Sequence, residues 1–150
     1  MILNLLISQK ESELKTHFVN DFIAHIDGKK VITLRQLYEE VAELLEFPDG
    51  FGFTLDALND FLNDLQWLED KRIILYFTNT NDLVSKERDP DKLGSILGVL
   101  DATAEDWKWI DDEEEIDKKE IIVVFEDSPR IRRILDKEGI NYALLAELKK

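Results

Sequence analysis

Three aspartates, Asp56, Asp60 and Asp64, stand four residues apart, just after a loop in which Phe51 and Phe53 flank Gly52. On an α-helix, steps of four turn by only about 40° each, so these carboxylates would share one stripe. Carboxylates in such an array can hold a divalent cation, exchange protons with a substrate, or meet the cationic groups of another molecule. A magnesium site usually draws a substrate phosphate into its coordination as well. Like charges at this spacing repel by ~0.2–0.5 kcal/mol per pair, a small cost that an ordinary solvated helix face also tolerates. The neighbouring loop favours the third chemistry. Aromatic rings beside a carboxylate stripe have the composition of a binding surface for a basic partner.

No other constellation competes with it. The "DGFGF" segment has neither the glycine spacing nor the lysine of a phosphate cradle. His17 and His25 stand eight residues apart in weakly patterned sequence, and Ser85, Ser95 and Ser128 lack the flanking glycines of a nucleophile elbow. There is no cysteine, which excludes disulfides and thiolate metal sites. No catalytic residue, metal ligand or cofactor is therefore assigned, and the chain is not expected to be an enzyme. With 33 acidic residues against 19 basic, the net charge is −14. That field repels nucleic acid and draws cationic partners in. The opening "MILNLLISQKESELK" is too short in apolar run for a membrane span and has no basic leader, so a cytoplasmic protein is expected.

The elements that must position the aspartates follow from hydrophobic spacing. Residues 1–20, with Ile2, Leu5, Leu6, Leu14, Phe18 and Val19, fit either a broken amphipathic helix or a strand followed by a helix. A short strand at 22–26 ends in the Asp27-Gly28 turn. Thr33 caps a helix carrying Leu34, Leu37, Val41, Leu44 and Leu45, which Pro48 closes. Thr54 caps the next helix, whose buried stripe is Leu55, Leu58, Phe61, Leu62 and Leu65. "RIILYFTN" and "EIIVVFED" have the continuous apolar character of buried strands, at 73–78 and 121–125. Between them, a helix is expected from Pro90 to Asp106, with Gly94 and Gly98 leaving a smooth strip for close packing. The Asp111–Lys119 charge run is expected as a solvated loop. A basic helix opens at Pro129 and stops at Gly139, and "INYALLAELKK" ends as a strand or a last helical turn. Together these give an α/β fold, a three-layer-like small sandwich with a mainly parallel three-stranded sheet packed with helices.

The run "GFGFTLDALNDFL" resembles the loop and second helix of the barstar family of ribonuclease inhibitors. The order of elements around it, over about 22–126, is similar as well. The resemblance implies one barstar-like domain over 1–150, with an N-terminal extension 1–21 and a C-terminal extension 127–150 that have no counterpart. It implies an inhibitor, immunity protein or antitoxin that blocks a basic ribonuclease 1:1 by placing acidic helix residues where RNA phosphates would bind. Residue by residue, Asp56 and Asp60 match the family's two helix aspartates, and Phe51 matches one of two loop tyrosines. The implied partner surface is Phe51, Gly52, Phe53, Asp56, Asn59, Asp60, Asn63 and Asp64. Gly50 replaces the other contact tyrosine, Asn59 a tryptophan and Asp64 a glycine. Ala102 falls near a later acidic contact, which Asp101 or Glu105 supplies only in a shifted alignment. Besides a carboxylate enzyme that binds a divalent cation through Asp56, two alternatives stay open at this point. One is a protein-interaction module reusing the fold without inhibiting a nuclease. The other is a homodimer in which Arg130, Arg132 and Arg133 meet an acidic face of a second copy.

Overall fold

The computed structural model describes residues 4–89, 91–110 and 116–148. Ile2, the first-turn role of Pro90, and Asp111–Glu115 of the charge run lie outside the described residues. The chain runs β1 (Leu5–Ser8), α1 (Glu11–His17), β2 (Phe22–Asp27), α2 (Leu34–Leu44), α3 (Leu55–Leu62) and β3 (Arg72–Thr78). It continues through α4 (Asp91–Lys108), β4 (Glu120–Glu126), α5 (Pro129–Lys137) and β5 (Ala143–Leu144) to a 3₁₀ turn, Leu145–Glu147. Residues 1–20 thus resolve as strand then helix, and the C-terminal segment is both a strand and a helical turn.

The sheet is wholly parallel and has five strands in the order β2-β3-β4-β1-β5, not three. The two extra strands come from the N- and C-terminal extensions. Leu5 lies opposite Val123, and Leu6 opposite Ala143, so β1 separates β4 from β5. Four and two residues are too few for a period to declare itself, which is why the sequence leaves both segments open between strand and helix. The longer β3 and β4 carry an almost unbroken buried stretch because each is covered on both faces.

One face of the sheet carries the large core. Leu5, Ile26, Leu75, Phe77, Val123 and Phe125 meet the apolar sides of α2, α3, α4 and α5 there. On the other face Leu6, Ile74, Tyr76, Ile122 and Val124 are covered by Leu14 of α1, Phe18 and Leu145. This is the expected three-layer arrangement, with one thick and one thin helical layer.

Three local features bear on the sequence reading. Gly28 closes β2 by donating its N–H to Thr78 O, and a Cβ there would fall inside contact distance of Asn79 O and 2.8 Å from Thr78 O. Gly28→Ala should therefore destabilise the fold by about 1–3 kcal/mol, measurable as a lower urea midpoint at unchanged slope. Of the two helix glycines, Gly94 is filled by the Glu138 side chain, whereas Gly98 faces no neighbour within 4 Å. Lys119 corrects the reading of a solvated charge run. It is only 2% exposed, with its ammonium donating to Leu68 O (2.6 Å) and Asp70 O (2.8 Å). Burial of an ammonium is tolerable when carbonyls take its protons, and here it ties the start of β4 to the segment after α3.

Candidate functional site

The Thr54 hydroxyl accepts from Ala57 N–H at 3.1 Å and starts α3 where the sequence indicated. Leu58 and Leu62 are buried, with Leu55 and Phe61 half-buried beside them, and this fixes the roll of the helix. The opposite side presents Asp56 and Asp60 to solvent. Among the described residues neither carboxylate has a hydrogen-bond or ion-pair partner, although the chain has 19 basic side chains.

The third aspartate is not on the helix. α3 ends at Leu62, and Asn63 donates its side-chain amide to Asn59 O (2.8 Å), a carbonyl of the last turn. Leu65 then takes a left-handed conformation (φ 53°), which turns the chain away. Asp64 is exposed, but it sits in the turn beyond the stripe of Asp56 and Asp60. Asn59 and Asn63 are half-buried and bonded to each other, and Asn59 Oδ1 also lies 3.4 Å from the Thr103 hydroxyl of α4. Their side chains brace the helix end.

The loop rings fold back. Phe51 has ring centroids of Phe53, Phe47, Phe61 and Tyr38 within 4.9, 5.0, 5.3 and 6.0 Å. Trp67 extends the cluster and donates its indole N–H to Leu45 O at 2.8 Å. Both Phe51 and Phe53 are half-buried. Phe53 has a left-handed backbone (φ 53°), and the Arg35 guanidinium stacks 3.7 Å from its ring centroid. Gly50, with φ 102°, needs to be glycine, because a side chain there would be strained. Gly52 has no such requirement: a Cβ on it meets nothing within 4 Å.

Spacing alone missed the partners of these rings. Tyr38 lies among the α2 leucines and Phe47 precedes Pro48, positions whose spacing carries no sign of the ring cluster. Burial, and then the charge of Glu87, pushes the Tyr38 phenol above its usual range. Asp101 and Glu105 do not join the aspartate stripe. Asn4 donates to both, at 3.1 and 3.2 Å, before β1. On the α4 wheel they lie about 120–160° away from Thr103 and Trp107, which face α3. Glu105 is held below the usual carboxylate range, first by the Trp109 indole N–H and then by Asn4. Of the arginines, Arg130 donates to Thr80 O and Leu83 O, and Arg132 chelates Asp127 at 2.7 and 2.8 Å. Only Arg133 of the three is exposed.

No catalytic grouping is brought together by the residues considered for one. His25 Nε2 lies 2.8 Å from the Thr78 hydroxyl, and His17 lies against the Glu13 and Leu148 carbonyls. Ser128 caps α5, and Ser95 donates to Asp91 O. Among the described residues no three His, Asp or Glu side chains are grouped as metal ligands. No helix among them is long and apolar enough to cross a membrane.

Comparison with solved structures shows the same α/β arrangement in much larger proteins. The Aeropyrum pernix ORC2 protein in ADPNP-ADP complexes superposes with a TM-score of 0.53 at 13% identity, over 95% of this chain and 41% of that one. Its ADP form gives 0.55 at 14%, over 95% and 42%. Drosophila ORC bound to AT-rich DNA and Cdc6 gives 0.51 at 11%, over 95% and 48%. This chain thus spans less than half of each, and the likeness is one of fold. No curated protein matches. The family model for Barstar (barnase inhibitor) matches residues 22–125, which include the capped α3, its exposed aspartates and the aromatic loop. The chain belongs to the barstar family.

Proposed function

We propose that this protein inhibits a cationic ribonuclease, forming a 1:1 complex in which Asp56 and Asp60 occupy the positions of RNA phosphates. It would serve as an immunity protein or antitoxin in the cytoplasm of the cell that makes the nuclease. The observation that carries this reading is the pair of exposed carboxylates, unpartnered among the described residues, on a helix rigidly capped at both ends. Nuclease active sites hold phosphates with Lys, Arg and protonated His, and such groups would be met here by fixed negative charge. Phe51 and Phe53 supply apolar contact at the rim, and the open space around Gly52 admits close approach of a partner backbone. The net charge of −14 acts mainly on the rate of encounter. Nucleotide binding is not carried over from the larger structures: only Gln9 and Lys10 separate β1 from α1, with no glycine to cradle a phosphate.

RNA cleavage by cationic ribonucleases, titrated with the protein, tests the proposal. Stoichiometric inhibition is expected, with association slowing steeply as salt rises to about 0.5 M while the complex, once formed, persists. Inhibition that vanishes at that salt and ignores the helix aspartates would reduce it to nonspecific charge attraction.

Gly50 favours a second reading, a basic partner that is not a nuclease. Its φ of 102° excludes a strain-free tyrosine where the family places a contact ring. Recovery of a non-nuclease basic protein in 1:1 complex, released by charge reversal at Asp60, would select this reading.

A further inference from the structure

A groove of about 460 Å³ opens beside the aspartate helix, between α2, the start of α3 and the start of α4. Tyr38 and Phe53 line it together with Leu55, and the α4 side contributes Asp89, Lys92 and Ser95. We propose that this groove receives one arginine or lysine side chain of the same cationic partner, extending the interface beyond Asp56 and Asp60. This rests on the inhibitor reading above.

Two features select a cation as occupant. Tyrosine and phenylalanine rings attract cations through their faces, and Phe53 already accepts one, the Arg35 guanidinium 3.7 Å from its centroid. The charges around the opening are unequally committed. Asp91 is neutralised by Lys137 at 2.7 Å, and Lys92 is exposed on the rim. Asp89 uses Oδ1 to accept from Asp91 N–H at 2.9 Å, and it has no ion-pair partner among the described residues. An incoming ammonium or guanidinium would enter along the Phe53 side of the groove and meet Asp89. The groove shares Phe53, Thr54 and Leu55 with the loop and helix that present Asp56. One partner surface therefore reaches both.

The experiment measures inhibition constants against a panel of cationic microbial ribonucleases, barnase among them. Asp89→Asn, which keeps the oxygen that accepts from Asp91 N–H, should weaken inhibition about tenfold. Ser95→Trp, which fills the groove from α4, should weaken it by about tenfold or more. Lys92→Glu should tighten it roughly threefold or more, a gain that no loss of folding can imitate. If Asp60→Ala abolishes inhibition while all three groove variants leave it unchanged, the groove lies outside the interface and the inference falls, with the inhibitor reading intact. If no nuclease is inhibited, or Asp60→Ala is also silent, both fall together.

Discussion

Asp60→Ala should raise the inhibition constant for the cognate nuclease by a factor of ~30 to a few thousand, corresponding to about 2–5 kcal/mol. The barnase–barstar pair is itself among the complexes behind that range. Most of the loss is not the worth of one ion pair. Truncation leaves a phosphate-binding cation of the nuclease buried and uncompensated, and that desolvation cost dominates. Asp56→Ala should cost less, because Asp56 lies in the first turn, near the positive end of the α3 dipole, where its charge is already partly engaged. The folded protein itself should hardly notice. Asp60 is exposed, and its removal relieves an i,i+4 repulsion of a few tenths of a kcal/mol, so the urea midpoint should stay level or rise slightly. Stopped-flow association and dissociation separate the effects. Loss of Asp60 should appear mainly as faster dissociation, whereas replacing exposed acidic residues far from α3 should appear only as slower association. Inhibition unchanged by both substitutions would remove the helix from the mechanism.

The contrast between these two aspartates and Asp64 shows what spacing can and cannot convey. A period of four is a statement about a helix only while the helix lasts. The start of α3 was legible because a threonine ahead of an amphipathic stripe has a specific hydrogen-bonding role, which the Thr54–Ala57 bond fulfils. Its end was not. It depends on an asparagine turning back onto a carbonyl and on a leucine entering left-handed backbone, neither of which carries a signature as strong as glycine. The loop rings follow the same logic. Their neighbours in sequence suggested exposure, but Tyr38, Phe47, Phe61 and Trp67 approach from other elements, and only the assembled sheet sets them in place. The central strands declared themselves because burial on both faces forces long apolar runs. β1, at four residues, is recruited by register beside β4, and β5, at two, beside β1, rather than by any pattern of their own. Lys119 marks the limit of charge as a guide to exposure, since two backbone carbonyls suffice to bring an ammonium inside.

Trp107→Ala should cost about 3–5 kcal/mol of folding stability, the usual range for emptying a buried aromatic site. Trp107 is 2% exposed on α4, and its indole N–H donates to Leu62 O at 2.8 Å in the last turn of α3. It therefore fills the core and holds the terminus of the aspartate helix at once. Trp107→Phe divides the two contributions. It keeps most of the apolar volume but leaves the Leu62 carbonyl without its donor, at about 1–3 kcal/mol for a buried group that water does not reach. Urea unfolding should register both losses as lower midpoints at constant slope, the alanine variant by more. Inhibition per folded molecule supplies the functional readout. α3 is held on the α4 side by this bond and by the weaker contact between Asn59 and Thr103. Trp107→Phe should therefore loosen the helix end and weaken nuclease binding several-fold even under conditions where the protein is fully folded. The loss should be greater for Asp60, nearer that end, than for Asp56 at the cap. A double-mutant cycle measures this directly: coupling between Trp107→Phe and Asp60→Ala should exceed coupling between Trp107→Phe and Asp56→Ala. Equal coupling at both positions would mean that α3 moves as a rigid body and that its capped start, not its end on α4, sets the geometry of the carboxylates.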